Sequence, residues 1–349
     1  MLRTEFGRIQ EMLGSVSALS WVAINVNGDL LDMIQASTDT DLKNYVTELA
    51  KALSAWTQPE DMAAASSFYE IYAEAITLHQ LKIRAANKGF TIRRTPAPTT
   101  SGVKTPDFEC DSNFGRFYVE VKTPDIAGGV FATGDIMREA LDNRIELESR
   151  IRPGVTWSKP QVISPYGAEI GRGLYSDIIE VFTKKILNNV KKDQVTFGPT
   201  ILLVYDGRLS LDTRHQTCLV PSYFYEALKP TPEWPGECVS GDWWHVGFGR
   251  VGNQFLTRSE FEGKGNLGGQ LKTDGILVEH PYLLGLAIMS GGKWSQPDPT
   301  IYTLAQTTRR NLPEGESFEQ IDAACAADLI SDAYNDSSNG NGCRYQLRR

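Results

Sequence analysis

The run TILLVYDG at residues 200–207 limits the folds open to this chain more than any other stretch. A strand with one wet face alternates apolar and polar residues, whereas an almost unbroken apolar run needs cover on both faces. The run also follows, through the breaker FGP, the helical pattern SDIIEVFTKKILNNVKK at 176–192. A helix feeding a buried central strand points to an α/β chain.

Upstream, SSFYEIYAEAITLHQLKIRAANKG predicts a helix that starts near Ser66 or Ser67 and stops at Gly89. FTIRR, TPDFEC and RFYVEVK are β-prone, with the loop TPAPTTSG after the first and the turn-like DSNFG before the last. The order helix, three strands, helix, strand predicts a mixed central β-sheet flanked by helices. Residues 136–150 read as a further helix, and 153–173 as a Pro/Gly-rich loop. WWHVGFGRV and DGILVEHPYLLGLAIMSGG read as strands or a hairpin; FEQIDAACAADLISDAY reads as a helix ahead of the disordered NDSSNGNG. Residues 1–66 are helical and acidic. Their clearest element is TDTDLKNYVTELAKALSAW, with Thr40 or Asp41 as cap and Leu42, Tyr45, Val46, Leu49 and Leu53 as its stripe. The organisation expected is a helical accessory segment at 1–66, one large domain at 67–305, and a helical, then disordered tail at 306–349.

A formal charge of −8 argues against a polyanionic partner until its distribution is considered. Residues 1–67 hold nine acids against four bases, and 311–349 hold seven against three, so the flanks carry the negative charge. Between them, 82–122 holds eight bases against four acids, an excess that suits either a phosphate backbone or a solvated face. The five cysteines and four histidines are scattered without CxxC spacing, which excludes a zinc or disulfide framework as the organising device. No apolar run reaches the length of a membrane span, and the start MLRTEFGRIQEMLG carries acids where a signal peptide is apolar, so a cytoplasmic protein is expected.

The pentapeptide VKTPD occurs at 103–107 and again at 121–125. In RFYVEVK, alternation sets Phe117, Val119 and Val121 on the core side and Arg116, Tyr118, Glu120 and Lys122 on the other. Thirteen positions separate Asp107 from Glu120, room for two short strands and a tight turn, so a hairpin brings the two carboxylates together. Paired carboxylates repel, and a hard divalent cation relieves them; a lysine beside it can position water or neutralise a phosphate.

Pro106-Asp107 followed by Glu120-Val121-Lys122 resembles the signature of the PD-(D/E)xK nuclease superfamily, whose fold is restriction-endonuclease-like. The resemblance covers roughly 66–210. It implies metal ligation by Asp107, Glu120 and the Val121 carbonyl, and water activation by Lys122. It implies also a glutamate from the preceding helix, for which Glu74, on the stripe Ser67, Ile71, Ala75, Leu78, Leu81 and Ala85, is preferred to Glu70. The first VKTPD thus lends Asp107 and the second Lys122, two halves of one site. Lys184 and Lys185, with Lys191 and Lys192, lie on the helix that the family uses to face nucleic acid, and Arg93, Arg94 and Lys104 are further phosphate-contact candidates. Trp157, Tyr166, Trp243 and Trp244 suit base stacking or core packing. The activity implied is a Mg²⁺-dependent endonuclease, with Mn²⁺ able to substitute, cutting DNA as a homodimer in restriction, phage defence or repair. A catalytically silent binding module and an RNA nuclease stay open. The site requires the carboxylates of Glu74, Asp107 and Glu120 to converge within roughly 4–6 Å.

Overall fold

The structure is a computed structural model that describes residues 1–14, 26–58, 61–96, 105–124, 142–143, 145–150, 152, 175–190, 197–207, 222–224, 238–240, 242–252, 270–291, 298–306 and 321–336. Four helices come first: α1 (Leu2–Gly14), α2 (Gly28–Ala36), α3 (Thr40–Ala55) and α4 (Met62–Lys88). Three strands follow, β1 (Phe90–Arg94), β2 (Phe108–Ser112) and β3 (Gly115–Lys122), then α5 (Tyr175–Asn189) and β4 (Thr200–Tyr205). The remainder comprises β5 (Ser222–Phe224), β6 (Cys238–Ser240), α6 (Asp242–Phe248), α7 (Ile276–Glu279), β7 (Gly285–Ser290), β8 (Thr300–Ala305), α8 (Ala323–Ile330) and β9 (Ala333–Asp336).

Six strands form a mixed open sheet, and short β9 pairs on its outer edge to give the order β1-β2-β3-β4-β7-β8-β9. The first three are an antiparallel meander, β3, β4 and β7 run parallel, and β8 reverses. All six residues of β4 are buried, as its apolar run requires. Ile201, Leu203 and Tyr205 join the core shared with α1 to α4 and α8, while Leu202 and Val204 join Phe182, Ile186 and Trp243 on the other face. One strand therefore serves two cores, with α4 covering one side and α5 the other.

Capping fixes the ends of the helices that carry the site. Asp39 caps α3 through the N–H groups of Asp41 and Leu42, one residue ahead of the candidates Thr40 and Asp41. Asp61 caps α4 through the N–H of Ala64, so that helix begins at Met62 and the 66/67 boundary falls inside it. Its C-cap is Gly89 at φ 72, the left-handed conformation that glycine adopts without strain.

The N-terminal helices are not an added layer. Phe6, Leu31, Tyr45, Leu49, Leu53 and Trp56 lie in the same core as Phe68, Tyr72 and the sheet residues Val119 and Val121. The segment around WWHVGFGRV is the helix α6 rather than a strand, because Trp243 and Val246, three apart, both bury against the second core. ILVE is likewise a short helix, and β9 takes Ala333 and Tyr334 from the end of the segment read as helical and Asn335 and Asp336 from the start of the one read as disordered. Among the described residues no helix is long and apolar enough to cross a membrane.

Candidate active site

The β2–β3 pairing runs from Phe108 opposite Val119 to Ser112 opposite Gly115, and one further step sets Asp107 opposite Glu120. The Thr95 N–H donates to the Asp107 carbonyl at 2.9 Å, and the Val121 N–H donates to Asp107 Oδ2 at 2.7 Å. Asp107 is thereby tied to β1 by its backbone and to β3 by its carboxylate. Backbone N–H and C=O groups of one strand residue face the same neighbour. Tyr118 donates its N–H toward Pro199 on the β4 side, so the alternate residue Val121 directs its carbonyl to the side where Asp107 stands.

Glu74 reaches this point from α4. It sits between Ala73 and Ala75, both fully buried, and is itself only partly exposed, whereas Glu70 is exposed. Ser67, placed on the inward stripe by its spacing, is exposed also; the buried side of the helix centres on Phe68, Tyr72 and Ile76. The Tyr45 hydroxyl, brought by α3, donates to Glu74 Oε2 at 2.8 Å. Arg94 ends β1 with its guanidinium 4.2 Å from the Tyr45 ring centroid and bonded to Glu48. A pocket of about 430 Å³ results, lined by Glu74, Arg94, Thr95, Thr105, Pro106 and Asp107.

Burial is the main reason both carboxyl groups titrate late. Glu74 is raised to about 7 by burial and then by the charge of Asp107, against the Tyr45 hydrogen bond and Arg94. Asp107 is raised to about 7 by burial and then by Glu120, against the Val121 N–H, Lys122 and Arg94. Tyr45 is raised by the same burial and by Glu74. Between the ordinary carboxylate range near pH 4 and about 7, the unfolded chain has released protons that the folded pocket keeps. Stability contributed here therefore falls as pH rises through that window. His245, lowered to about 4 by burial, has the opposite slope, so the diagnostic quantity is a difference between proteins. The double variant Glu74→Gln/Asp107→Asn should gain melting temperature over the wild type as pH rises from 5 to 8; an unchanging difference would refute the late titration of the two carboxyl groups.

Glu120 and Lys122 stand elsewhere. They register with Leu202 and Val204, which belong to the core on the α5 side, while Val119 and Val121 register with residues of the α4 side. Glu120 is 1% exposed and Lys122 Nζ donates to its Oε1 at 2.5 Å, so the pair is a buried ion pair and not a solvent-facing one. Neither residue lines the pocket. The four residues form a chain, Glu74 to Asp107 to Glu120 to Lys122, that crosses the sheet at Asp107. Among the described residues no group of three or more His, Cys, Asp or Glu side chains is gathered to hold a metal ion, so the three-carboxylate convergence expected from the sequence is not met. The physical reason is the strand's own alternation, which sends Glu120 to the face opposite α4.

The basic stretch is spent within the molecule. Lys82 pairs with Asp39 and Asp41, Arg84 with Asp332, Arg94 with Glu48, and Arg93 and Arg116 with Glu109. Lys88 donates to the carbonyls of Asp328 and Ser331. Acids of the flanks thus neutralise Lys82, Arg84 and Arg94, and Glu109 within the stretch takes Arg93 and Arg116. Arg93 keeps 64% of its side chain exposed, and on α5 Lys184 is exposed beside Glu180 while Lys185 is half-buried. Lys104, Trp157, Tyr166, Lys191 and Lys192 lie outside the described residues. Trp243 is fully buried against Phe182, a packing role.

Sequence reasoning missed three groups. Tyr45 was placed in the apolar stripe, yet its hydroxyl holds Glu74. Glu48, on the same helix, holds Arg94. Asp206, at the carboxyl end of β4, is buried and accepts from the Ser290 hydroxyl at 2.8 Å; the sequence signal was a lone acid closing an apolar strand. Compared with family models, curated proteins and solved structures, the chain finds no match.

Proposed function

We propose that the chain is a divalent-metal-dependent endonuclease of the PD-(D/E)xK type that hydrolyses DNA. The observation that carries this reading is the Asp107 carboxylate, bound by the Val121 N–H at the open end of a hairpin and sharing a pocket with Glu74. The order α4, β1, β2, β3, α5, β4, with one helix on each face, supports it.

A Mg²⁺ or Mn²⁺ ion fits the donors. Glu74 and Asp107 are crowded, hard oxygen ligands, and such ions are commonly held by one or two carboxylates with water. These two side chains and the Val121 carbonyl would hold it. When bound, the cation supplies Lewis acidity and charge neutralisation. Tyr45 fixes the Glu74 carboxylate, and Val121 fixes that of Asp107, so neither has to reorganise on substrate arrival. A proton held on the Glu74–Asp107 pair is available at the pocket near neutral pH. Lys122 does not touch the pocket; its charge, anchored by Glu120, lowers the cost of ionising Asp107. Phosphate contacts fall to Lys184, Lys185 and Arg93, and cutting of both strands calls for two copies of the chain.

Supercoiled plasmid and a structured RNA, each with Mg²⁺, Mn²⁺ or EDTA, test the reading. Cutting of the plasmid should require metal and fall by about a hundredfold or more in Asp107→Asn. Cutting of RNA alone would transfer the activity to that substrate. The complete pairing of the described bases in 82–122 favours one second reading, a binding module without hydrolysis. Metal-sensitive DNA binding with no cutting in any condition would establish it over the nuclease.

A further inference from the structure

The guanidinium of Arg94 lines the same pocket as Glu74 and Asp107. Its two terminal nitrogens donate to separate oxygens of Glu48, at 2.5 and 3.0 Å. The Arg94 backbone N–H donates to Asp41 at 3.2 Å, which anchors the main chain, and the guanidinium lies against the buried Tyr45 ring. The Tyr45 ring thus supports the plane of the fork on the side that Glu48 does not bond. A fork of two parallel donors accepts carboxylate and phosphate with the same geometry. The Glu48 side chain is 38% exposed, so its carboxylate can turn into water without being stranded in apolar surroundings.

We propose that the Arg94 fork is a phosphate-binding subsite of the pocket, and that Glu48 occupies it as an internal competitor until a phosphate oxyanion displaces it. The proposal deepens the phosphodiester reading of the pocket and rests on it. Glu48 then lowers the affinity of the fork for every anion by the same factor, which a phosphate delivered with its neighbours overcomes. A partly exposed ion pair of this kind competes by a factor of about two to five.

Binding can be read apart from cutting by titration calorimetry in EDTA, which withholds the cation that cutting needs. Inorganic phosphate is one probe and a short DNA duplex the other, against wild type, Glu48→Gln, Arg94→Lys and the double variant, each checked by thermal melting. Glu48→Gln should tighten both probes about two- to fivefold. Arg94→Lys should weaken both, and the double variant should gain nothing over Arg94→Lys. Unchanged phosphate affinity in Glu48→Gln overturns the proposal. So does a gain that persists in the double variant or that appears for the duplex alone, since either shows an effect of overall charge. A gain for inorganic phosphate alone upholds the subsite and counts against DNA as its source of phosphate. If Arg94→Lys does not fold, the side-chain N–H NMR signal of Arg94 in Glu48→Gln decides: it moves on adding phosphate, and a signal that stays put overturns the subsite. A wild type that binds both probes yet cuts nothing strikes only the nuclease reading.

Discussion

A chain that starts at residue 61 should not fold cooperatively. It keeps the Asp61 cap of α4 and every strand, and would be a natural minimal domain if residues 1–60 were an accessory. The core says otherwise. Phe6 stacks with Phe68 at 5.9 Å, and Trp56 packs on the same ring at 6.2 Å. Tyr45, Leu49, Leu53 and Trp56 are all fully buried, as are Leu31 and Ile34 from α2. Truncating a single buried Phe or Trp costs about 3–5 kcal/mol, and a whole domain is stable by only about 5–15 kcal/mol. Removing three helices at once strips several such groups and bares Phe68, Tyr72 and Ala75 to water. Lys82 and Arg94 would lose Asp39, Asp41 and Glu48 in the same step. Far-UV circular dichroism during heating and dye binding to exposed apolar surface measure the outcome; a sharp melt with no dye binding in the truncated chain would show that the first helices are dispensable.

That layer was legible as helices and illegible as part of the core, for a physical reason. Periodicity reports that α3 has an apolar stripe, not which surface the stripe meets. Tyr45 satisfies the stripe, and nothing in the spacing shows that its hydroxyl ends at Glu74, 29 positions away. The hairpin was easier, since short antiparallel strands joined by a turn leave few registers, and the spacing of Asp107 and Glu120 selects the one observed. The same alternation that made the register readable also placed Glu120 across the sheet from Glu74. Following Glu120 onto β4 would have shown it beside Leu202, but that required knowing the β3–β4 register, which a long intervening segment leaves open. The charge pattern misled in a similar way. A basic stretch between acidic flanks reads as a surface for phosphate, and its described bases bind acids and carbonyls of the flanks and of the stretch itself.

Removing Lys122 should destabilise the protein more than its place in a catalytic motif suggests. Its ammonium is 2.5 Å from Glu120 Oε1, and the Glu120 side chain is 2% exposed. Lys122→Ala takes away the cation bonded to that buried carboxylate, and breaking a buried ion pair from one side costs about 3–5 kcal/mol. The 16% exposure of the lysine places the expected loss near the lower end, about 3 kcal/mol. Replacing both partners by neutral groups of similar size, Glu120→Gln/Lys122→Met, removes both buried charges together and should recover most of the stability. Urea unfolding of the three proteins at pH 8 tests the sequence of effects; a Lys122→Ala protein as stable as wild type would show that the ion pair contributes nothing to stability. The consequence for function is direct. Lost cutting in Lys122→Ala is ambiguous between chemistry and unfolding, whereas an inactive but stable double variant, assayed well below its unfolding midpoint, separates them. Asp107→Asn carries no such ambiguity, because neutralising a carboxyl group that already holds its proton late relieves repulsion instead of creating it.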